Sequence, residues 1–241
     1  MGYPPRAADC QAESLHSCRL ERKAVRVRRL DGKARPSAAV EEYDFTEGKW
    51  RALAGLPEPR RDAAAVVSGD RIYIVGGFGA ANEPMPILVY YPARDAWETK
   101  DATSKALCAW GAHEIGGRIY ILGSKEDTPG SPVLEVYDPA SDTITGKRPV
   151  PWPRVAYATA VSGGRIYAIG GHLTTLQEPQ SSIDVYDPAA DTWTKFGELP
   201  TAKSWAGAAA VGGRIYVMGG VRTEWPRPES AVDVLDLAEK Q

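Results

Sequence analysis

Cysteine, methionine, histidine and phenylalanine are scarce in this 241-residue chain, at three residues each. Cys10, Cys18 and Cys108 are odd in number and spaced unlike any zinc pair, which excludes a disulfide framework and a structural zinc site. Cys108 falls in an apolar repeat strand, where a small buried hydrophobe is expected. A nucleophilic triad needs a base, for which only His16, His113 and His172 are available, and His16 lies in the basic N-terminal segment. No GxSxG, HExxH, P-loop or dinucleotide fingerprint occurs, so no catalytic residue, metal or cofactor is assigned. Apolar runs stay far below the roughly 18 residues of a membrane-spanning helix. The N-terminal stretch shows no continuous apolar core of a secretion signal, and the compartment stays unassigned.

Charge is unevenly placed. Residues 1–37 hold nine Lys/Arg against four Asp/Glu, while the remainder holds twenty against twenty-seven. An acidic body is a poor match for nucleic acid, whose phosphates require a basic face. The basic head has one aromatic, Tyr3, and no helical periodicity, so a solvated or degenerate segment is expected there.

What the chain has in plenty is turn-formers, 24 glycines and 19 prolines, and these fall in register. Arg71-Ile72-Tyr73 recurs as Arg118-Ile119-Tyr120, Arg165-Ile166-Tyr167 and Arg214-Ile215-Tyr216, the tyrosines 47, 47 and 49 residues apart. A second anchor follows each: Tyr90-Tyr91-Pro92, Tyr137-Asp138-Pro139, Tyr186-Asp187-Pro188 and Leu235-Asp236-Leu237, with an earlier copy at Tyr43-Asp44-Phe45. Seven residues after the leading aromatic stands Trp50, Trp97 or Trp193, with Ile144 in the remaining copy.

Each unit reads as four short strands. In one, Tyr157–Ser162 turns through Gly163-Gly164 into Arg165–Gly170, and Ile183–Tyr186 turns through Asp187-Pro188-Ala189-Ala190 into Thr192–Lys195. Arg165–Gly170 is apolar on both faces, with Ile166 and Ala168 on one side and Tyr167 and Ile169 on the other. A strand of that kind belongs inside a stack of sheets, and radial stacking of four-stranded sheets supplies one.

The Gly doublets (Gly76-Gly77, Gly170-Gly171, Gly219-Gly220), the Tyr-Asp-Pro anchors and the following Trp, at this period, resemble Kelch repeats over residues 38–237. One unit departs, with Gly123-Ser124 and Ile144. The resemblance implies an all-β fold, a Kelch-type β-propeller of four-stranded antiparallel blades with four clear repeats plus a partial one. Units are expected near 38–55, 56–101, 102–149, 150–198 and 199–241, after a basic segment 1–37. The last unit has no Trp position within the chain, so the Trp50 strand is expected to complete its blade, as propellers similar to this family close their rings. Two readings of the beginning remain. Either a fifth blade uses degenerate strands in 22–37, or the ring is incomplete at its N-terminus. The lack of glycine anchors and apolar alternation around Arg26–Arg29 favours the second.

The resemblance also implies that loops entering each first strand, and loops after each Gly doublet, converge on one face. The entering loops carry Arg60, Arg154 and Lys203, each with Pro before it. A ring of cations suits a carboxylate or phosphate ligand, with Trp110, Trp152, Tyr157 and Trp205 as stacking walls. The plainer reading is that these cations tie loop carbonyls together. His172 opens a variable loop, where an exposed residue is the plainer reading and a ligand contact the alternative. His113 is expected to be a satisfied, partly buried imidazole.

Variable loops on a regular scaffold point to non-catalytic recognition of a protein or carbohydrate. No BTB or F-box segment lies within these residues. A copper oxidase resembling galactose oxidase would need two His, two Tyr and a thioether-forming Cys, and nothing pairs Cys108 with a tyrosine. The alternative is a sugar isomerase resembling the bacterial sialic-acid mutarotase. It would need a carboxylate or imidazole beside the sugar, for which Glu114, Glu178 and Glu224 carry no distinguishing motif.

Overall fold

The computed structural model describes residues 16–20 (backbone), 23–27, 36–79, 81, 83–125, 131–173, 178–222 and 230–237. Alternating apolar segments separated by Gly-Gly, Gly-Asp or Asp-Pro turns become strands, with five antiparallel sheets in chain order. The first blade comprises β1 (His16–Leu20), β2 (Lys23–Val27), β3 (Val40–Asp44) and β4 (Lys49–Ala52). The second comprises β5 (Arg61–Ser68), β6 (Arg71–Phe78), β7 (Pro86–Tyr91) and β8 (Ala96–Thr103). The third comprises β9 (Cys108–Ile115), β10 (Arg118–Lys125), β11 (Ser131–Asp138) and β12 (Thr143–Lys147). A short ladder of β13 (Arg154–Val155) with β16 (His172–Leu173) accompanies the fourth, which comprises β14 (Ala158–Ser162), β15 (Arg165–Ile169), β17 (Ser182–Asp187) and β18 (Thr192–Glu198). The fifth has three described strands, β19 (Gly207–Val211), β20 (Arg214–Met218) and β21 (Val232–Asp236).

First strands contact one another in succession, β1 with β5, β5 with β9, β9 with β14 and β14 with β19, so they lie innermost. Sheets stacked in this way are a five-bladed β-propeller. Each second strand is apolar on both faces because each face packs on a different neighbour. Ile166 and Ala168 join Tyr120, Leu122 and Tyr186 between the third and fourth blades. Tyr167 and Ile169 join Ile215 and Val217 between the fourth and fifth.

An aspartate, a tyrosine and a tryptophan clasp successive blades. Asp191 accepts hydrogen bonds from Tyr186 OH (2.6 Å) and from the Arg148 backbone N–H of the preceding blade (3.1 Å). Trp193 Nε1 donates to the Arg148 carbonyl at 2.7 Å. Asp95, Tyr90 and Trp97 repeat this on Ala54. In the third blade Asp142 still binds Tyr137 OH and the Asp101 N–H, although Ile144 removes the indole bond. All three aspartates adopt left-handed φ of 46–52°, a conformation that Asp tolerates better than most side chains and that turns the carboxylate back onto the preceding blade.

Two expectations about the N-terminus are corrected. Residues 23–27 form a strand of the first blade, with Val25 and Val27 buried against Ile72, Leu88 and Tyr90 of the second. The propeller therefore begins before residue 38, and strands in the weakly patterned segment build the extra blade. β4, with Trp50, pairs with β3 in that same blade and does not complete the last one. Residues 1–15 lie outside the described residues.

Candidate functional site

The chain ends of each blade converge at one end of the sheets. Segments entering the first strands pair with segments that follow the Gly doublets: Val155 with His172, Arg61 with Phe78, and Ser204 with Val221. Neighbouring blades join there too, because Gly171 N–H donates to the Lys203 carbonyl and Trp205 N–H to the Ala156 carbonyl. Glycine is required at this crossing. Gly171 has φ +91°, and a Cβ there would stand 2.7 Å from the Val155 carbonyl oxygen.

Arg60, Arg154 and Lys203 each stand eleven residues before the Arg of the following Arg-Ile-Tyr. Each is 1% exposed. Arg154 acts inside its own blade. Its Nη2 donates to Asp184 Oδ2 at 2.7 Å and to the Ala168 carbonyl, and its Nη1 donates to Ser182 Oγ at 2.9 Å and to the Ser182 and Gly170 carbonyls. Lys203 Nζ lies 2.6 Å from Asp233 Oδ2. Arg154 is thus a buried strut onto the second and third strands of its blade, and Lys203 onto the third. In the third blade Leu107 takes the cation's place, and Glu135 instead accepts from Ser104 Oγ (2.7 Å) and Lys105 N–H (3.1 Å) of the entering segment. Arg60 differs, because Leu88 stands where the others have a carboxylate. Its Nη1 donates to the Pro86 carbonyl at 2.7 Å, while Nε and Nη2 are buried without a partner. Burial alone lowers its pKa to about 10, so it stays charged at neutral pH.

The partner carboxylates Glu135, Asp184 and Asp233 escaped the sequence reading. Their signal was there, two residues before the anchors Tyr137, Tyr186 and Leu235.

The aromatic expectation fares differently. Trp110 of β9, Tyr157 before β14, Trp205 before β19 and His172 of β16 come together from three blades. Trp110 lies 6.3 Å from Tyr157 and 5.7 Å from Trp205, and His172 lies 6.1 Å from Trp205, between ring centroids. The Arg154 guanidinium stands 5.5 Å from the centroid of the Tyr157 ring, which joins that strut to the cluster. Tyr157 is buried, while Trp110, Trp205 and His172 are part-exposed. Trp110 Nε1 and Tyr157 OH are buried donors without a partner. Burial lowers the His172 pKa, so its imidazole is neutral at pH 7, and burial raises that of Tyr157. The cluster therefore presents two part-exposed indoles and a neutral imidazole beside a buried tyrosine, a surface suited to stacking groups, and holds two buried donors without partners.

Trp152 is 60% exposed and stacks on none of these rings. His113 is the satisfied core imidazole expected, its Nε2 2.8 Å from Thr159 Oγ1, with its pKa lowered to about 4 by burial. Cys108 is half-buried in β9. Glu114 serves its turn, accepting from Gly117 N–H at 2.6 Å, and Glu224 lies outside the described residues. Among the described residues no group of three or more His, Cys, Asp and Glu could hold a metal ion, and no helix is long and apolar enough to cross a membrane.

Comparison with known proteins agrees with this geometry. The Kelch motif matches residues 59–98 and 153–200, the second and fourth blades with their entering loops. The Kelch repeat protein M-T8 of Myxoma virus (strain Lausanne) is 38% identical over 63 residues, which are 26% of this chain and 12% of that protein. The chain therefore matches only a small part of that relative's length. The solved structure titled "Structure of YjhT" superposes with a TM-score of 0.68 at 13% identity, over 95% of this chain and 96% of the other, a likeness of fold. Radial sheets, aspartate clasps and glycine crossings define a repeat propeller. Together with Kelch motifs in two blades, these features support a Kelch-repeat β-propeller.

Proposed function

We propose that this propeller is a non-catalytic recognition scaffold whose ligand is a protein segment, held at the face where the entering and post-doublet loops converge. The observation that carries the reading is the Trp110–Tyr157–Trp205–His172 cluster, built from three blades and holding two buried donors without partners. Aromatic side chains with a polar tip are the groups that dominate binding energy at protein interfaces. The cations take a supporting role. Arg154 and Lys203 hold the loops, and through Tyr157 Arg154 holds the floor of the cluster.

The test is selection of binders from a random peptide display library and, in parallel, from a glycan array, each with wild type and Trp205→Ala. The reading expects peptide binders whose affinity falls at least tenfold in the variant. Binders confined to glycans would assign the same cluster to carbohydrate. Binders indifferent to Trp205 would remove the cluster from the account.

The sugar-isomerase alternative draws on one observation, the imidazole of His172 beside Trp205. It expects faster exchange between sialic-acid anomers than in buffer, read by proton NMR, with the acceleration lost in His172→Ala. No acceleration by the folded protein would dismiss that reaction.

A further inference from the structure

The interfaces between successive blades are of one kind. The following face of a blade presents the tyrosine of its Arg-Ile-Tyr, and the next blade answers with its own isoleucine and anchor residue. Tyr73 meets Ile119 and Tyr137, Tyr120 meets Ile166 and Tyr186, and Tyr167 meets Ile215 with Leu235 alongside. Ring centroids are 6.1 Å apart for Tyr73 and Tyr137 and 6.3 Å for Tyr120 and Tyr186.

Five blades closed into a ring would need five such cores, and the described residues form four. Two faces are left over. On the following face of the fifth blade, Val211, Met218, Val232 and Val234 are 44–65% exposed. Strand register places them on one side of the sheet with Tyr216, which has no ring contact among the described residues. On the preceding face of the first blade stand the anchor Tyr43 and Trp50, the latter 47% exposed. These are the residue types by which the second and fourth blades dock. One face is an unfilled socket and the other an unfilled plug of the interface used throughout the chain. Among the described residues, Arg214 is paired with Asp236 on one face and Arg26 with Glu41 on the other.

We infer that this chain associates head to tail with a second copy of itself, the fifth blade of one copy packing on the first blade of the next, with Tyr216 meeting Tyr43 as Tyr73 meets Tyr137. Contiguous exposed apolar patches of this kind mark association surfaces, and a contact between two different faces propagates or closes into a ring. The inference stands independently of the ligand-binding reading.

The experiment is sedimentation velocity on the full chain over a wide concentration range, with Val234→Asp and Trp50→Glu. Val234 is 54% exposed, and Trp50, which packs on Tyr43 with Arg26 over its ring, is 47% exposed, so circular dichroism is used to show that each variant is folded before its association is read. Wild type is expected to form dimers or larger species as concentration rises. Each variant alone is expected to be monomeric. An equimolar mixture of the two is expected to form dimers and nothing larger, because each keeps one intact and complementary face. A monomeric wild type at every concentration would overturn the inference. So would self-association of Trp50→Glu alone, or a mixture that stays monomeric.

Discussion

Replacing Asp184 by alanine strands the Arg154 guanidinium in the fourth blade. Both members of the pair are buried and 2.7 Å apart. Breaking such a pair by removing one partner typically costs about 3–5 kcal/mol, since the remaining charge is left buried. Arg154 keeps its bonds to the Ala168, Gly170 and Ser182 carbonyls and to Ser182 Oγ, which places the expected loss near the lower end, about 3 kcal/mol. With a urea m-value of about 2–3 kcal/mol/M, the midpoint should fall by about 1–1.5 M at unchanged m. The double variant Arg154→Met/Asp184→Leu removes both charges and should lie within about 1 kcal/mol of wild type, because apolar replacement of a buried pair is often neutral. The coupling between the two sites is then read from the cycle of single and double variants. A loss below about 1 kcal/mol for Asp184→Ala, or a double variant as damaged as the single one, would refute the strut.

The clasp is tested by Asp191→Gly, which keeps the left-handed backbone that Gly48 supplies at the equivalent position of the first blade. Orphaning the buried Tyr186 hydroxyl should cost about 1–3 kcal/mol in urea unfolding. Trp193→Phe should lose about 1 kcal/mol through the Arg148 carbonyl bond, and Trp50→Phe much less, since Trp50 Nε1 has no such partner among the described residues; equal losses would contradict the clasp. A chain starting at Ser37 lacks Val25 and Val27 and uncovers Ile72 and Leu88, so its midpoint should drop or its transition split; an unchanged single transition would contradict the first blade. His113 has a folded pKa of about 4 against an ordinary value of 6.5, so the unfolded chain takes the proton first. Its contribution to stability is complete above pH 6.5, falls as pH drops towards 4, and amounts to about 3 kcal/mol by linkage. His113→Gln should flatten the stability–pH curve between pH 6.5 and 5, and an unaltered slope would dismiss the assignment.

Most of the propeller was legible because its blades depend on residues that few others can replace. Gly170-Gly171 crosses two other chain segments, and the tyrosines of Arg-Ile-Tyr and Tyr-Asp-Pro each fill a space between blades. The first blade was not legible. Its inner half carries only the alternation of Val25 and Val27, with no glycine doublet and many arginines, and its preceding face contributes to none of the four cores formed by the described residues. At the site, residue types and loop positions singled out Trp110, Tyr157, Trp205 and His172, whose rings lie near one another. The cations were found, but not what they bind. Their carboxylate partners lie some thirty residues away on third strands, and only strand register reveals that Asp184 faces Arg154. Trp152 had a fitting residue type in an entering loop, yet it is 60% exposed and makes no ring contact with the cluster.

The central claim is that recognition occurs at the three-blade aromatic cluster. It is tested most directly by the indole N–H signals of the seven tryptophans in a proton–nitrogen NMR spectrum, recorded with and without a peptide selected by display. Binding at the cluster should shift the Trp110 and Trp205 signals while those of Trp97 and Trp193, hydrogen-bonded to the preceding blade, stay in place. Movement of Trp152 or Trp50 with Trp110 and Trp205 unmoved would contradict it.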